Sequence, residues 1–159
     1  MFYFSKSRYC RFCQCPKSVW LQKNKPEEEV LYDDVFARMT TGNEVGDLAM
    51  GIFGDYVEVT AYKEDGRLDL EAMTGRTAEE MAKGTPVICE ASFMYEGLYC
   101  AVDILRKTDG GWAIYEVKSS THDDKKVYFK DIAYQRYVLE RCGVNVTGTY
   151  LMVIDNSYI

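Results

Sequence analysis

The stretch 87–119, VICEASFMYEGLYCAVDILRKTDGGWAIYEVKS, decides the fold. Residues 87–95, 98–105 and 112–119 are runs rich in β-branched, aromatic and other apolar side chains. They are separated by Glu96-Gly97 and by Lys107-Thr108-Asp109-Gly110-Gly111. Asp-Gly is a preferred pair in two-residue hairpin turns, so the stretch predicts a three-stranded antiparallel meander. With Asp109-Gly110 at the second tip, counting outward sets Asp103 opposite Glu116, and the first hairpin sets Glu90 opposite Asp103. A three-residue turn at 109–111 without a bulge would break that alignment.

Like charges facing each other across a sheet are destabilising, so a row of Glu90, Asp103 and Glu116 asks for a reason. A bound cation is the simplest one. Carboxylates on adjacent strands hold a hard dication, and Lys118, two residues after Glu116, shares its face because strand side chains alternate. The opposite face (Cys89, Ala91, Phe93, Cys100, Val102, Ile104, Ala113, Tyr115 and Val117) is apolar and is expected to pack on helices. The plainer alternative is a solvated face on which acids happen to align, with Lys118 neutralising one of them.

Working outward, Ser5 or Ser7 caps a first helix, and Pro16 suits the first turn of a second one. Residues 27–53 read as helical, with Gly42 and Gly46 weakening the middle. A strand is expected at 56–62, then the turn Glu64-Asp65-Gly66, then a short helix from Thr77 with Glu80 completing a capping box and Gly84 ending it. Past the meander, a helix runs from about Asp123 to Cys142, stopped by Gly143, with Tyr128, Ile132, Gln135, Leu139 and Cys142 along one stripe. Gln135 in that stripe needs a hydrogen-bonding partner, which the acidic face of the sheet or solvent would supply. A last strand lies at 146–154. The expected fold is α/β (α+β): a mixed sheet with the meander, a helical crossover to a further strand, and extra N-terminal helices.

At 159 residues the chain fits one domain, here divided into an N-terminal helical, basic arm (1–53) and a core (54–159). No apolar run approaches a membrane span, and Met1-Phe2-Tyr3-Phe4 meets Ser5-Lys6 too early for a signal peptide. A cytoplasmic location with no membrane partner is therefore expected, and reduced cysteines with it. Cys10, Cys13 and Cys15 have spacing that suits zinc or an iron-sulfur cluster, or are simply thiols on a helical segment. Net charge is −6, but residues 1–26 carry +6 and the remainder −12. The basic arm, with Arg8, Arg11, Lys17 and Trp20 foremost, is a candidate for tracking a phosphate backbone and stacking bases, or else an amphipathic helical segment with its aromatics in the core.

These residues resemble the PD-(D/E)XK nuclease superfamily, in its RecB-like exonuclease branch that includes CRISPR-associated members. The likeness spans most of the chain: Ser5-Lys6-Ser7-Arg8-Tyr9 into Gln14-Cys15-Pro16-Lys17-Ser18-Val19-Trp20-Leu21, then Phe36, Gly42 and Val45-Gly46, then Asp103, Glu116-Val117-Lys118 and Gln135. It implies a restriction-endonuclease-like core and a Mg²⁺- or Mn²⁺-dependent nuclease, an exonuclease acting on DNA single strands or duplex ends. Asp103, Glu116, Lys118 and Gln135 would be catalytic. Asp103, Glu116, the Val117 carbonyl and Glu90 would hold the metal. Many relatives carry a metal-binding histidine on the early helix; the single histidine here is His122, which leaves Glu44 or Glu90 as the further ligand. The tyrosine that often follows the motif glutamine is replaced by Leu139. Cys15 resembles the first of four cluster cysteines in some relatives, but the chain ends at Ile159 without the others. No iron-sulfur cluster is therefore expected in this chain, and the pattern leaves room for a longer natural protein. The alternative function is a catalytically inactive nucleic-acid-binding module of the same fold.

Overall fold

The computed structural model describes residues 3–30, 33–121 and 125–157, without the side chains of 33–39 and 125. In chain order the elements are β1 (Phe4–Ser5), α1 (Lys6–Gln14), α2 (Pro16–Asn24), a 3-10 turn (Pro26–Glu28), α3 (Asp33–Met50), a second 3-10 turn (Gly51–Phe53) and β2 (Val57–Glu58). There follow α4 (Leu70–Lys83), β3 (Val87–Tyr95), β4 (Leu98–Thr108), β5 (Gly111–Lys118), α5 (Lys125–Arg141) and β6 (Val146–Val153). The sheet order is β2-β3-β4-β5-β6, with β1 paired to β4 off that path. The architecture is thus the expected α/β one: an antiparallel meander, then a helical crossover to a parallel β6.

Turn chemistry sets the meander. Glu96 and Gly97 both have positive φ (45° and 83°), the backbone that a two-residue hairpin turn matched to strand twist requires. The second hairpin closes on Thr108 opposite Gly111, so Asp109-Gly110 is its two-residue tip. Its pairs run from there to Ile104 opposite Tyr115, and the same count brings Asp103 level with Glu116.

At that point the sheet forks. β4 pairs with β5 only over Ile104 to Thr108, while Leu98 and Tyr99 pair instead with Phe4 and Ser5 of β1. Ser5 then caps α1 by accepting a hydrogen bond from the Arg8 amide, as expected. The β3–β4 ladder is interrupted at the same level: Cys89 faces Ile104 and Ala91 faces Val102, but Glu90 and Asp103 between them are unpaired. Glu90 has φ +56°, a left-handed backbone that a non-glycine residue rarely adopts.

The fork divides the predicted apolar patch. Ala91, Phe93, Cys100 and Val102 join a core with Tyr134, Val138 and Leu139 of α5, whereas Cys89 and Ile104 pack with Met50 of α3 and partly with Tyr115 and Val117. Ile88, Leu105, Trp112 and Ile114 are buried as well, so the sheet is covered on both faces rather than solvated on the acidic one. Burying each such aliphatic side chain contributes roughly 1.5–3 kcal/mol. This packing fixes the meander against α5.

Four expectations need correction. The helix expected at Thr77 begins at Leu70, capped by Asp69, whose side chain accepts from the Ala72 amide. Thr77 is instead buried in mid-helix, donating to the Met73 carbonyl and accepting from the Ser92 amide of β3, a donor beyond the reach of the two-residue β2. The strand expected at 56–62 is only Val57–Glu58, followed by a bridge from Tyr62 to Leu68. In the 27–53 stretch the α-helix starts at Asp33, after a 3-10 turn that Pro26 opens. The buried stripe of α5 is Asp131, Tyr134, Gln135, Val138 and Leu139, while Cys142 is exposed. Asp123 and His122 lie outside the described residues. Among the described residues no helix is long and apolar enough to cross a membrane.

Candidate active site

The fork creates the site. Freed from the β4 ladder, the Val117 amide donates to the Asp103 carboxylate at 2.7 Å, which locks that side chain at the split. Glu116, one residue earlier on β5, is 1 % exposed and receives three donors. Lys6 Nζ spans both its oxygens at 3.0 and 2.9 Å, Lys118 Nζ meets Oε1 at 2.5 Å, and Gln135 Nε2 donates to Oε2 at 2.6 Å. α5 adds Asp131, which accepts from Lys118 at 2.7 Å and from Gln135 at 3.1 Å. Lys6 also lies 3.7 Å from Asp103 and 3.8 Å from Asp131.

Charge follows geometry. Three carboxylates (Asp103, Glu116, Asp131) surround two ammonium groups, leaving the cluster with one excess negative charge. Burial disfavours ionised Glu116, yet Lys6 and Lys118 together outweigh it and hold the carboxyl at about 2. Lys6 and Lys118 are both pushed up: burial opposes their charge, and the surrounding carboxylates win. Asp103, in contrast to Glu116, is raised by burial and by Glu116 despite the attraction of Lys6. Glu90 is raised to about 7, by burial and then by Asp103. A strained backbone and a perturbed acid coincide at Glu90.

Part of the cluster, without Asp131 and Gln135, forms the floor of a cavity of about 700 Å³. Lys6, Glu90, Asp103, Glu116, Val117 and Lys118 line it from below. Gly42, Asn43, Gly46 and Asp47 of α3 also line it, as do Glu58 and Tyr62. A Cβ on Gly46 would meet nothing within 4 Å, so this glycine leaves open space where α3 borders the cavity. The wall belongs to the segment expected to be an arm, so the site spans the division drawn at residue 53.

Asp103, Glu116, Lys118 and Gln135 are therefore brought together, and Gln135 finds its expected partner on the sheet. Glu90 and Val117 reach the same cavity; Glu44 is exposed and does not line it. The proposed nucleic-acid contacts do not border it. Arg8 donates to the Tyr3 carbonyl, Arg11 forks onto Glu29, and Lys17 and Trp20 are exposed on α2. Cys10 and Cys13 are half-buried, Cys15 is exposed, and burial pushes the Cys10 thiol up to about 11. Sequence reasoning missed Lys6 and Asp131. Asp131 carried a signal, standing one helical turn before Gln135; Lys6 stood in the N-terminal segment of the resemblance and in the basic stretch, with nothing to single it out as a partner of Glu116.

Among the described residues no set of three carboxylate, thiol or imidazole side chains is disposed to hold a metal ion. The residues nonetheless suit a hard cation: oxygen donors only, an uncompensated negative charge, and an ammonium group already standing in between Asp103 and Glu116. The buried Gln135 Oε1 has no hydrogen-bond partner, a vacant acceptor within the cluster. The chain matches no family model, no curated protein and no solved structure.

Proposed function

We propose that the chain is a Mg²⁺- or Mn²⁺-dependent deoxyribonuclease of the PD-(D/E)XK, RecB-like kind, acting as an exonuclease on single strands or duplex ends. The observation that carries this reading is the convergence of Asp103 and Glu116 on one cation, with Lys118 bound to the second acid, at the floor of an open cavity. A bound dication would polarise the scissile phosphate and lower the pKa of an attacking water. Asp103, fixed by the Val117 amide, and Glu116, fixed by Gln135, would hold it, with the Val117 carbonyl and Glu90 as further oxygen donors. Lys118, steadied by Glu116 and Asp131, would orient the water and offset charge that builds on the phosphate.

Asp103→Asn and Lys118→Ala each leave the core packing untouched and should abolish Mg²⁺-dependent degradation of end-labelled DNA. Activity surviving both substitutions would refute the assignment. The second reading, an inactive binding module, is favoured by the saturation of Glu116 with internal donors. Mn²⁺ separates the two: an enzyme gains thermal stability from it through Asp103, and a module does not.

A further inference from the structure

We infer that Lys6 is the resident counter-cation of this cluster, holding the cation position in the metal-free protein and leaving it when a divalent ion binds. The inference rests on the metal-dependent reading above and concerns how the site is regulated.

Among the described residues, Lys6 is the cation that reaches Asp103, Glu116 and Asp131 alike; the ion pairs of Lys118 are with Glu116 and Asp131. Its ammonium chelates both oxygens of Glu116, the side on which a bidentate metal contact would form. A Mg²⁺ ion needs oxygens at about 2.0–2.1 Å, which is incompatible with an ammonium group in the same gap. One must leave.

The structure provides for that movement. The Lys6 backbone is anchored: Phe4 and Ser5 pair with Leu98 and Tyr99, the Tyr134 hydroxyl donates to the Phe4 carbonyl, and Tyr9 stacks on Tyr134 at 5.0 Å. The side chain is not sealed in, being 21 % exposed and on the cavity wall. It can swing into the cavity without moving α1. There the released ammonium is placed to meet an incoming phosphate.

The test is Mn²⁺ binding by calorimetry to wild type, Lys6→Met and Asp103→Asn. Removal of the competitor should tighten binding about tenfold or more in Lys6→Met, whereas Asp103→Asn should lose it. In wild type, amine-reactive labelling of Lys6, read by peptide mass spectrometry, should rise severalfold on saturation with Mg²⁺. That measurement stands even if Lys6→Met fails to fold. Equal or weaker Mn²⁺ binding by Lys6→Met, or labelling of Lys6 unchanged by a Mg²⁺ that does bind, would overturn the role of Lys6 and leave the metal site intact. Failure of wild type and Lys6→Met alike to bind Mn²⁺ would remove the metal site, and this inference with it.

Discussion

Glu90→Gln should flatten the pH dependence of stability. The carboxyl titrates at about 7 in the folded protein because it is buried and faces Asp103, against 4.5 in its ordinary state. Between those values the native state keeps a proton that the unfolded chain releases. Stability from this group is therefore fully present below pH 4.5 and lost as pH rises through about 7. The gap corresponds to roughly 3 kcal/mol, which partial solvation of a half-buried side chain reduces to about 2 kcal/mol. Glutamine keeps the shape and the left-handed backbone but not the titration. Urea unfolding in EDTA, followed by the fluorescence of buried Trp112, should show wild type losing about 2 kcal/mol more than Glu90→Gln between pH 4.5 and pH 8. Parallel profiles for the two proteins would show that Glu90 ionises freely and that Asp103 does not act on it.

Thr77→Val leaves the buried Ser92 amide without its acceptor and should cost about 1–3 kcal/mol by chemical denaturation. Gly46→Leu fills cavity space while improving helix propensity, so melting temperature should hold or rise while Mg²⁺-dependent DNA cleavage falls at least tenfold. Gly111→Ala places a Cβ 2.2 Å from the Asn145 carbonyl oxygen and should destabilise the β5–β6 edge, seen as faster amide exchange at Trp112. Glu116→Gln leaves two ammonium groups short of a carboxylate and should cost about 3–5 kcal/mol at pH 7 by urea unfolding.

Local chemistry explains what the sequence made legible. Glu96-Gly97 and Asp109-Gly110 dictate two-residue turns, and the turns dictate register, so Asp103 and Glu116 could be aligned by counting. Gln135 was legible because an amide in an apolar stripe demands a partner. Thr77 misled because Thr-x-x-Glu mimics a capping box, while its hydroxyl serves a strand fifteen residues away. Lys6 was out of reach because its partner Glu116 is 110 residues distant and the fork that joins them depends on β1, a strand of two residues. The backbone of Glu90 was equally hidden, since nothing local requires positive φ there.

Because β1 wedges into the split beside Asp103, the first residues of the described chain help to build an acidic cluster whose other members lie about a hundred positions downstream or more. Trimming the protein ahead of Cys10 would take away one of the two lysines that balance the buried acids, along with the backbone oxygen to which Tyr134 donates. Tags or boundaries that displace this end would therefore disturb the charge balance around Glu116.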